Sequence, residues 1–417
     1  MSTETKKETR ESWKTPIVMG SLAAVVLVFF GILGKPGSVA FELTGVREAV
    51  QLPNIDVASN ILGIASGILL LAIAGFTAWQ VARNVRSSIW LSIVFGAIAL
   101  VALLGWLAGG AVVPVAFILG SALVLAVPII LGAMAGVMSE RVGVVNIAIE
   151  GQLLTGAFMA SVVSTLTGNQ IFGIISAMVT AALFSAVLAV FAIRFLAQQI
   201  IVGVVLNVLA IGITNFLYQQ WVTEDESATN SPGTLPIIHI PVLGDIPIIG
   251  PVLFQNRIIV WLAIAIVIVL WFVLFKTKLG LRARAVGENP LAADTVGINV
   301  GRTRFWWVTL GGLLAGLGGA ALTIGSSGSF GREMSGGLGF IALAVVILGR
   351  WHPGYATAAA LLFGFSIILR VWANQVSPGI PTNFITMVPY IVTIIAVVGF
   401  VGRSRPPAAD GIPYVKG

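Results

Sequence analysis

The sequence predicts an all-α integral membrane protein, a polytopic bundle of about 10–12 transmembrane helices. Of its 417 residues, 58% are hydrophobic and 9% are charged, and the mean hydropathy is +1.03. A soluble globular protein carries about 25% charged residues, because it must cover its surface with them. The apolar segments are continuous rather than alternating, which favours membrane helices and excludes a closed barrel.

Twelve apolar runs have a length close to the about 20 residues that a helix needs to cross a bilayer. The weakest is short and opens on the glycine cluster of Gly336, Gly337 and Gly339, so it is expected to be a broken or re-entrant segment. The runs are 17–33, 58–80, 89–109, 113–137, 143–166, 171–193, 199–221, 258–275, 305–325, 336–349, 354–373 and 384–402.

The charges between these runs predict the orientation of the chain. With the N-terminus inside, all but five of the 23 Lys and Arg residues lie on the inner side, in agreement with the positive-inside rule. The five exceptions are Lys35, Arg47, Arg257, Arg332 and Arg370. We therefore expect a multi-pass membrane protein with both termini in the cytoplasm. The net charge of +7 reflects this topology and predicts no nucleic-acid partner.

Several kinds of chemistry are excluded. The chain has no cysteine and only two histidines, which rules out a thiolate metal site and leaves no cluster of nucleophile, base or metal ligands. No Gly-x-x-x-x-Gly-Lys-Ser/Thr motif is present, so no Walker-type ATP site is expected. His352 stands beside Arg, Trp and Pro and is expected to be interfacial. The chain is therefore predicted to be no enzyme, with no metal and no cofactor of its own.

Three regions are expected along the chain. Residues 1–110 form an N-terminal extension with about three transmembrane helices, residues 111–403 the core, and residues 404–417 a cytoplasmic tail. The first run follows four basic residues, but it is long for a signal peptide and acidic residues dilute its basic flank, so a retained anchor is favoured over a cleaved signal.

The first informative segment is 140–151, at the inner start of a predicted crossing. Asn146 and Glu150 are four residues apart and would share one face of a helix. A carboxyl group inside a bilayer costs about 2.5–3.5 kcal/mol on insertion scales and usually faces a cavity or a partner. Glu150 either pairs with a neighbouring helix or caps broken backbone at Gly151, or it lines a polar path together with Asn146 and Gln152; these roles are compatible.

The second informative segment is the inner loop 276–304. Asn289 is a helix N-cap, Pro290 fits the first helical position, and Gly297 ends the segment. A helix of two turns is marginal in water, so it is expected to dock, either on a partner or on its own transmembrane bundle.

The third segment, 335–353, combines a glycine cluster with a short apolar run. Its part 335–349, together with 143–151, is typical of discontinuous helices around a substrate path, although close packing through small residues gives the same pattern. Asn207, near the middle of its run, is a weaker candidate for the same path, with interhelical hydrogen bonding as the alternative.

These three segments carry a family resemblance. They read ERVGVVNIAIEG at 140–151, AVGENPLAADTVGI at 285–298 and GFIALAVVILGRWHP at 339–353. In this order they resemble the permease subunits of bacterial nucleoside ABC importers, within the branched-chain amino acid and ribose permease superfamily. The resemblance covers roughly 112–402 and leaves out the N-terminal extension.

The resemblance implies a cytoplasmic ATPase that holds ATP and Mg, an extracytoplasmic substrate-binding lipoprotein, and a second related permease or a second copy of this chain. It also implies that the 288–298 helix is the coupling helix, which sits in a groove of the ATPase. Importer permeases commonly show Glu-Ala-Ala-x-x-x-Gly there, and in this chain Leu291 stands at the glutamate position. The expected coupling residues are Glu288, Asn289, Pro290, Ala292, Ala293, Asp294 and Gly297, and the small ones among them would let the partner approach closely.

The leading prediction is therefore the permease subunit of an ATP-driven nucleoside importer that works by alternating access. A permease for sugars or amino acids is one alternative, because permeases of this superfamily share their architecture. An ion-coupled secondary transporter is another; it would use Glu150 as a proton or cation site but leaves the capped inner helix unexplained.

Overall fold

A computed structural model describes residues 13–34, 37–45, 48, 50–85, 88–376, 387 and 405–416. Within these residues, ten helices are long and apolar enough to cross a membrane. They correspond to the predicted runs, except that the run at 336–349 contains only a shorter helix. The predicted crossing at 384–402 lies outside the described residues apart from Met387.

The described elements follow one another in a simple order. The first group is α1 Lys14–Val25, which continues as wider π-helical turns over Val26–Ile32, β1 Ser38–Glu42, β2 Ile55–Ala58, α2 Ser59–Ala82, α3 Ile89–Ala108 and β3 Val112–Pro114. The second group is α4 Val115–Glu140, α5 Ile149–Thr167, α6 Gln170–Ile193, α7 Gln199–Leu217 with π-helical Tyr218–Val222, α8 Glu226–Thr229, β4 Ile237–His239, π-helical Gly250–Phe254 and β5 Gln255–Arg257. The third group is α9 Ile258–Lys276, α10 Lys278–Glu288, α11 Pro290–Thr295, α12 Val300–Leu322 with π-helical Thr323–Ser327, α13 Leu338–Leu348 and α14 Pro353–Val376.

The contacts divide the chain into two compact units. The first comprises Met1–Ile118, Asp245–Ile248 and Leu369–Phe400, and the second comprises Leu119–Gly244, Ile249–Ile368 and Val401–Gly417. The division into 1–110, 111–403 and 404–417 stays a prediction.

In the first unit, glycines allow close packing of α2 against the first helix. A Cβ at Gly63 would lie 2.3 Å from the carbonyl oxygen of Phe30, and one at Gly67 would lie 2.7 Å from the Cα of Leu27. Small residues of this kind let helix backbones approach in membranes. A three-stranded sheet of order β2-β1-β3 belongs to the same unit, with β1 antiparallel to β2 and parallel to β3.

In the second unit, the glycine-rich helix α12 packs closely on α5 and α6. A Cβ at Gly319 would lie 2.3 Å from the carbonyl oxygen of Leu153, and one at Gly316 would lie 2.3 Å from that of Ala177. Of the long helices, α5 and α12 have the largest buried share of residues. The start of α5 therefore lies inside the unit.

The start of α5 differs from the sequence prediction. The predicted crossing 143–166 becomes helical only at Ile149, and residues 143–148 are irregular. The amide of Asn207 takes the place of the helical hydrogen bond between Ile147 and Gly151: the Gly151 N–H donates to Asn207 Oδ1 at 2.8 Å, and Asn207 Nδ2 donates to the Ile147 carbonyl at 2.9 Å. The prediction that Asn146 and Glu150 share a helical face is therefore wrong, because Asn146 precedes the helix.

The segment 336–349 is broken, as expected. Helix α13 has 11 residues, so it is about 16 Å long and too short to cross a bilayer by itself. The chain on both sides of it is hydrogen-bonded to other elements of the unit. Phe330 bonds to Asn230, which directly follows α8, and Trp351 bonds to Glu140 at the end of α4.

The capped inner helix is confirmed. The side chain of Asn289 accepts a hydrogen bond from the Ala292 N–H at 3.0 Å, Pro290 occupies the first helical position, and Gly297 adopts a left-handed φ of +82°. Helix α11 therefore ends where the glycine predicted that it would.

Candidate functional site

Helices α5 and α13 begin side by side, and Glu150 joins them. Its carboxyl oxygens accept hydrogen bonds from the backbone N–H groups of Gly337, at 2.8 Å, and Gly339, at 2.6 Å. Glu150 also lies in the first turn of α5. An acidic group at two helix N-termini satisfies backbone donors that have no partner in their own helix and interacts favourably with both helix dipoles. We call this place, with Asn146, Gln152 and Asn207, the α5–α13 junction.

Glycine is required on the α13 side of the junction. Gly337 is the N-cap of α13, with a left-handed φ of +86°, and it has no side chain to cap the helix. A Cβ at Gly339 would lie 2.3 Å from the backbone nitrogen of Glu150. The glycine cluster therefore lets the backbone of α13 come within hydrogen-bonding distance of a carboxyl group on another helix.

Two buried carboxamides pair in the same place. Asn146 Nδ2 donates to Gln152 Oε1 at 3.2 Å, and Gln152 Nε2 donates to Asn146 Oδ1 at 3.3 Å. Both side chains are fully buried. The pairing ties the irregular segment 143–148 to the first turn of α5, because each amide satisfies the other away from water.

All four predicted path residues meet at the junction. Asn146, Glu150, Gln152 and Asn207 are buried, and each bonds to another part of this chain. Glu150 caps α13 rather than the backbone at Gly151, whose N–H is taken by Asn207. Their place beside the path stays a prediction. The sequence reasoning missed Gly337 and Gly339 as the donors, although a glycine cluster before a short apolar run was the available signal.

The other end of α13 is also fixed by side chains. Trp351 Nε1 donates a hydrogen bond to Glu140, and Arg141 Nε donates to the Trp351 carbonyl at 2.9 Å. His352 stacks on Phe275 and Tyr355, with ring centroids 5.0 and 4.6 Å apart. Burial, together with the charge of Arg141, lowers the pKa of His352. These contacts show His352 packed against two aromatic rings. Its expected position at the membrane interface stays a prediction.

Helix α11 has one buried face and one exposed face. Ala293 is buried in a cluster with Val286 and Val300, so its side chain packs inward. Contrary to the expectation, Ala293 is therefore not open to a partner. Leu291 and Val296 are 62% and 75% exposed. We call the exposed face, formed by Leu291, Ala292, Thr295, Val296 and Gly297, the α11 surface.

The remaining predicted coupling residues surround the α11 surface. Glu288 and Asn289 are exposed, and Pro290 and Asp294 are half-buried. The prediction that this helix docks on its own bundle is met by the packing of Ala293, and apolar side chains on its other side are uncovered. Whether an ATPase binds there stays a prediction.

A backbone contact connects helix α10, which leads into α11, to the loop before the junction. A Cβ at Gly287 would lie 2.2 Å from the carbonyl oxygen of Arg141, so only glycine permits this approach. Arg141 is also bonded to Trp351. The segment 140–150 therefore contacts α10 and both ends of α13, which gives a continuous packed route from α11 to the junction.

Among the described residues, no group of three His, Cys, Asp or Glu side chains lies close enough to hold a metal ion. The chemistry available at the junction is hydrogen bonding by carboxyl and carboxamide groups.

Comparison with known proteins gives the following relatives. Residues 118–397 match the family described as "Branched-chain amino acid transport system / permease component". The chain is 41% identical over 309 residues to the guanosine ABC transporter permease protein NupQ of Bacillus subtilis, covering 72% of this chain and 97% of NupQ. It is also 41% identical over 310 residues to the nucleoside ABC transporter permease protein NupC of Lactococcus lactis, covering 72% of this chain and 96% of NupC.

A third relative is named for a different solute. The putative glucose ABC transporter permease protein TsgC13 of Haloferax volcanii is 35% identical over 256 residues, which cover 61% of this chain and 77% of TsgC13. No solved structure matches.

Proposed function

This chain belongs to the family of permease components of branched-chain amino acid transport systems, and from that premise we infer that it is the permease subunit of a nucleoside ABC importer. The observation that carries this conclusion is the 41% identity to two nucleoside permeases over 96–97% of their length. A permease of this kind is not itself an enzyme, because ATP is hydrolysed by a separate subunit.

The transported solute is a nucleoside and crosses by alternating access. The junction supports this proposal, because paired N-termini of broken helices are a common arrangement at transporter paths. On this reading, Asn146, Glu150, Gln152 and Asn207 set the geometry of the two helix starts, and the path borders them.

Coupling to the ATPase uses the α11 surface, with Glu288, Asn289, Pro290, Ala292, Asp294 and Gly297 at or beside it. The exposed Leu291 and Val296 support this proposal, since they are apolar and lie in a segment outside the spanning helices. Closure of the ATPase dimer moves α11, and the contact between Gly287 and Arg141 passes the movement to the segment 140–150.

The assembly consists of two permeases, an ATPase with its ATP and Mg, and an extracytoplasmic binding lipoprotein. The second permease is a related chain, and a pair of identical chains is the alternative. We place the complex in a bacterial plasma membrane with both termini in the cytoplasm, because the basic residues concentrate on that side of the predicted topology.

The test is reconstitution of the chain with its candidate partners in liposomes. We expect uptake of guanosine that requires ATP, the ATPase and the binding protein, with no uptake of glucose. Uptake of glucose alone would move the assignment to the sugar permeases, a class that the TsgC13 match favours. Uptake of guanosine by the chain alone, driven by an ion gradient, would overturn the importer assignment.

A further inference from the structure

The C-terminal segment 405–416, which we call the strap, packs on the inner loops of the second unit. The Ala409 N–H donates to the Gly287 carbonyl at 2.9 Å, and the Ala408 N–H approaches Glu288 Oε2 at 3.4 Å. Pro407 and Ala409 are buried. The strap therefore lies against the end of α10, directly before the coupling helix.

A buried arginine holds the second half of the strap. Arg304, in the second turn of α12, is 2% exposed, and its Nη1 donates to the Ile412 carbonyl at 2.9 Å. A guanidinium is rarely buried unless it is paired, because its desolvation is costly. Asp410 supplies a nearby acidic group. Burial raises the pKa of Asp410 to about 7, against the opposing effects of a hydrogen bond from Gly411 and of the Arg304 charge.

The strap also contacts the loop before the junction. A Cβ at Gly143 would lie 2.8 Å from the Ala409 carbonyl oxygen and 2.8 Å from Arg304 Nη2. Gly143 has a left-handed φ of +82°, so glycine is needed there for its conformation as well as for space. One residue of the strap, Ala409, thus touches both the α4–α5 loop and α10.

Prolines, short-range backbone hydrogen bonds and a glycine with a positive φ determine the conformation of the strap. Pro406 and Pro407 restrict the backbone before the contact, and the Asp410 N–H donates to the Pro407 carbonyl at 3.0 Å. The Ile412 N–H donates to the Ala409 carbonyl at 3.2 Å, and Gly411 has a φ of +74°. These consecutive turns place Ala409 and Ile412 at the two contacts, so the strap has a defined shape rather than the random course of a tail.

We propose that the strap is a positioning element that fixes α10 and α11 to the α4–α5 loop, so that movement of the coupling helix reaches the junction. The proposal rests on the proposed importer function. The strap stays attached throughout the transport cycle, because its contacts join parts that must move together. Gly287 by itself touches Arg141 by a backbone contact. The strap adds a hydrogen bond to the Gly287 carbonyl and a close contact with Gly143 in the same loop.

The first experiment removes the strap from the complete complex by ending the chain at residue 404. We expect the ATPase still to bind and to hydrolyse ATP, while the amount of solute moved per ATP falls about tenfold, within the usual range for coupling between two sites. The matched control is Val415→Ala, which alters a strap residue that is 64% exposed and should leave the ratio unchanged. An unchanged ratio in the truncated chain would overturn the proposal.

The second experiment keeps the chain at full length, so it does not require that the truncated chain folds and assembles. The chain has no cysteine, so Gly411→Cys with Val145→Cys gives a single pair that a short thiol cross-linker can join, because a Cβ at Gly411 would lie 3.5 Å from Val145 Cγ2 in the α4–α5 loop. We expect efficient cross-linking in intact membranes and retained uptake in the cross-linked complex. Failure to cross-link, or loss of uptake on cross-linking when each single variant stays active, would show that the strap is not a fixed connection.

The two proposals fail in different ways. If the importer assignment is wrong, no ATP-dependent uptake is seen in the unaltered chain, yet the thiol pair still cross-links. If only the strap proposal is wrong, the unaltered complex shows normal ATP-dependent uptake. The chain ended at residue 404 then moves as much solute per ATP as the full chain, or the thiol pair fails to cross-link or loses uptake when it is cross-linked.

Discussion

The α5–α13 junction buries polar side chains, whereas the α11 surface exposes apolar ones. At the junction, Glu150, Asn146, Gln152 and Asn207 are buried, and each bonds within the chain. The α11 surface instead leaves Leu291 and Val296 uncovered. The difference indicates what covers each region: groups of the same chain at the junction and, as proposed, another subunit at the α11 surface. Inside the membrane a polar group must be satisfied by the protein itself, whereas an apolar surface outside it can be covered by another subunit.

The largest expected effect comes from breaking the junction at Glu150. Glu150→Ala leaves the part-buried N–H of Gly337 and the buried N–H of Gly339 without their acceptor, at a cost of about 1–3 kcal/mol for each buried donor. We expect uptake to fall to background. The measurement is ATP-dependent uptake in liposomes, with the amount of assembled complex determined in parallel.

Glu150→Gln is the control for this change, because it keeps one oxygen acceptor and nearly the same volume. We expect partial uptake from it. Normal uptake by the alanine variant would mean that the junction does not need this cap.

The second effect tests the close approach of the two helices. Gly339→Ala places a methyl group within 2.3 Å of the Glu150 nitrogen, so α13 must move away from α5. We expect uptake to fall at least about tenfold, because the hydrogen bonds at the helix start are lost with the shift. Gly336→Ala is the neighbouring control for space, since a Cβ there would meet only the Met334 carbonyl at 3.9 Å, although its φ of +52° adds some strain. Equal activity of both variants would contradict the proposed packing requirement.

The third effect concerns the α11 surface. Val296→Arg changes an exposed residue, so the fold should be unaffected, but a charge would enter the contact with the ATPase. We expect at least about a tenfold loss of ATPase binding, as for a residue central to an interface. The measurement is co-purification of the ATPase with a tagged chain in detergent.

Leu279→Arg is the control, because it places the same side chain at a residue of α10 with similar exposure, 63%. ATPase binding should survive this change. If both variants retain the ATPase, the α11 surface is not the contact.

The smallest effect tests the stability of α11. Asn289→Ala removes the side-chain cap on the Ala292 N–H, which costs about 1 kcal/mol. Amide hydrogen exchange in α11 should become several times faster, with a modest loss of uptake. Asn289→Asp keeps the accepting oxygen and should retain slow exchange; if the alanine variant exchanges as slowly, packing rather than the cap holds the helix.

Much of the local structure could be predicted from the sequence. The cap at Asn289, the first-turn Pro290 and the end at Gly297 are local signals, and helix α11 follows them. The ten helices of the described residues that are long and apolar enough to cross a membrane follow from apolar runs, because hydropathy acts over about 20 consecutive residues. The broken character of 336–349 was likewise visible in its glycines and its length.

The partners of the site residues could not be predicted in the same way. Glu150 bonds to residues 187 and 189 positions away, and Arg304 bonds to Ile412 108 positions away. A helix pattern gives the face on which a side chain lies only if the helix extends that far, and α5 does not extend to Asn146.

The sequence by itself determined the membrane class, the limits of most of the described helices, the capped inner helix and the family. The tertiary structure decided where α5 begins, what Glu150 caps, that Ala293 faces inward and that the C-terminal segment is a strap. The physical reason is one of range. Hydropathy, caps and glycine conformations act between neighbouring residues, whereas buried polar atoms are satisfied by whichever group the packing brings to them, however distant it is in the chain.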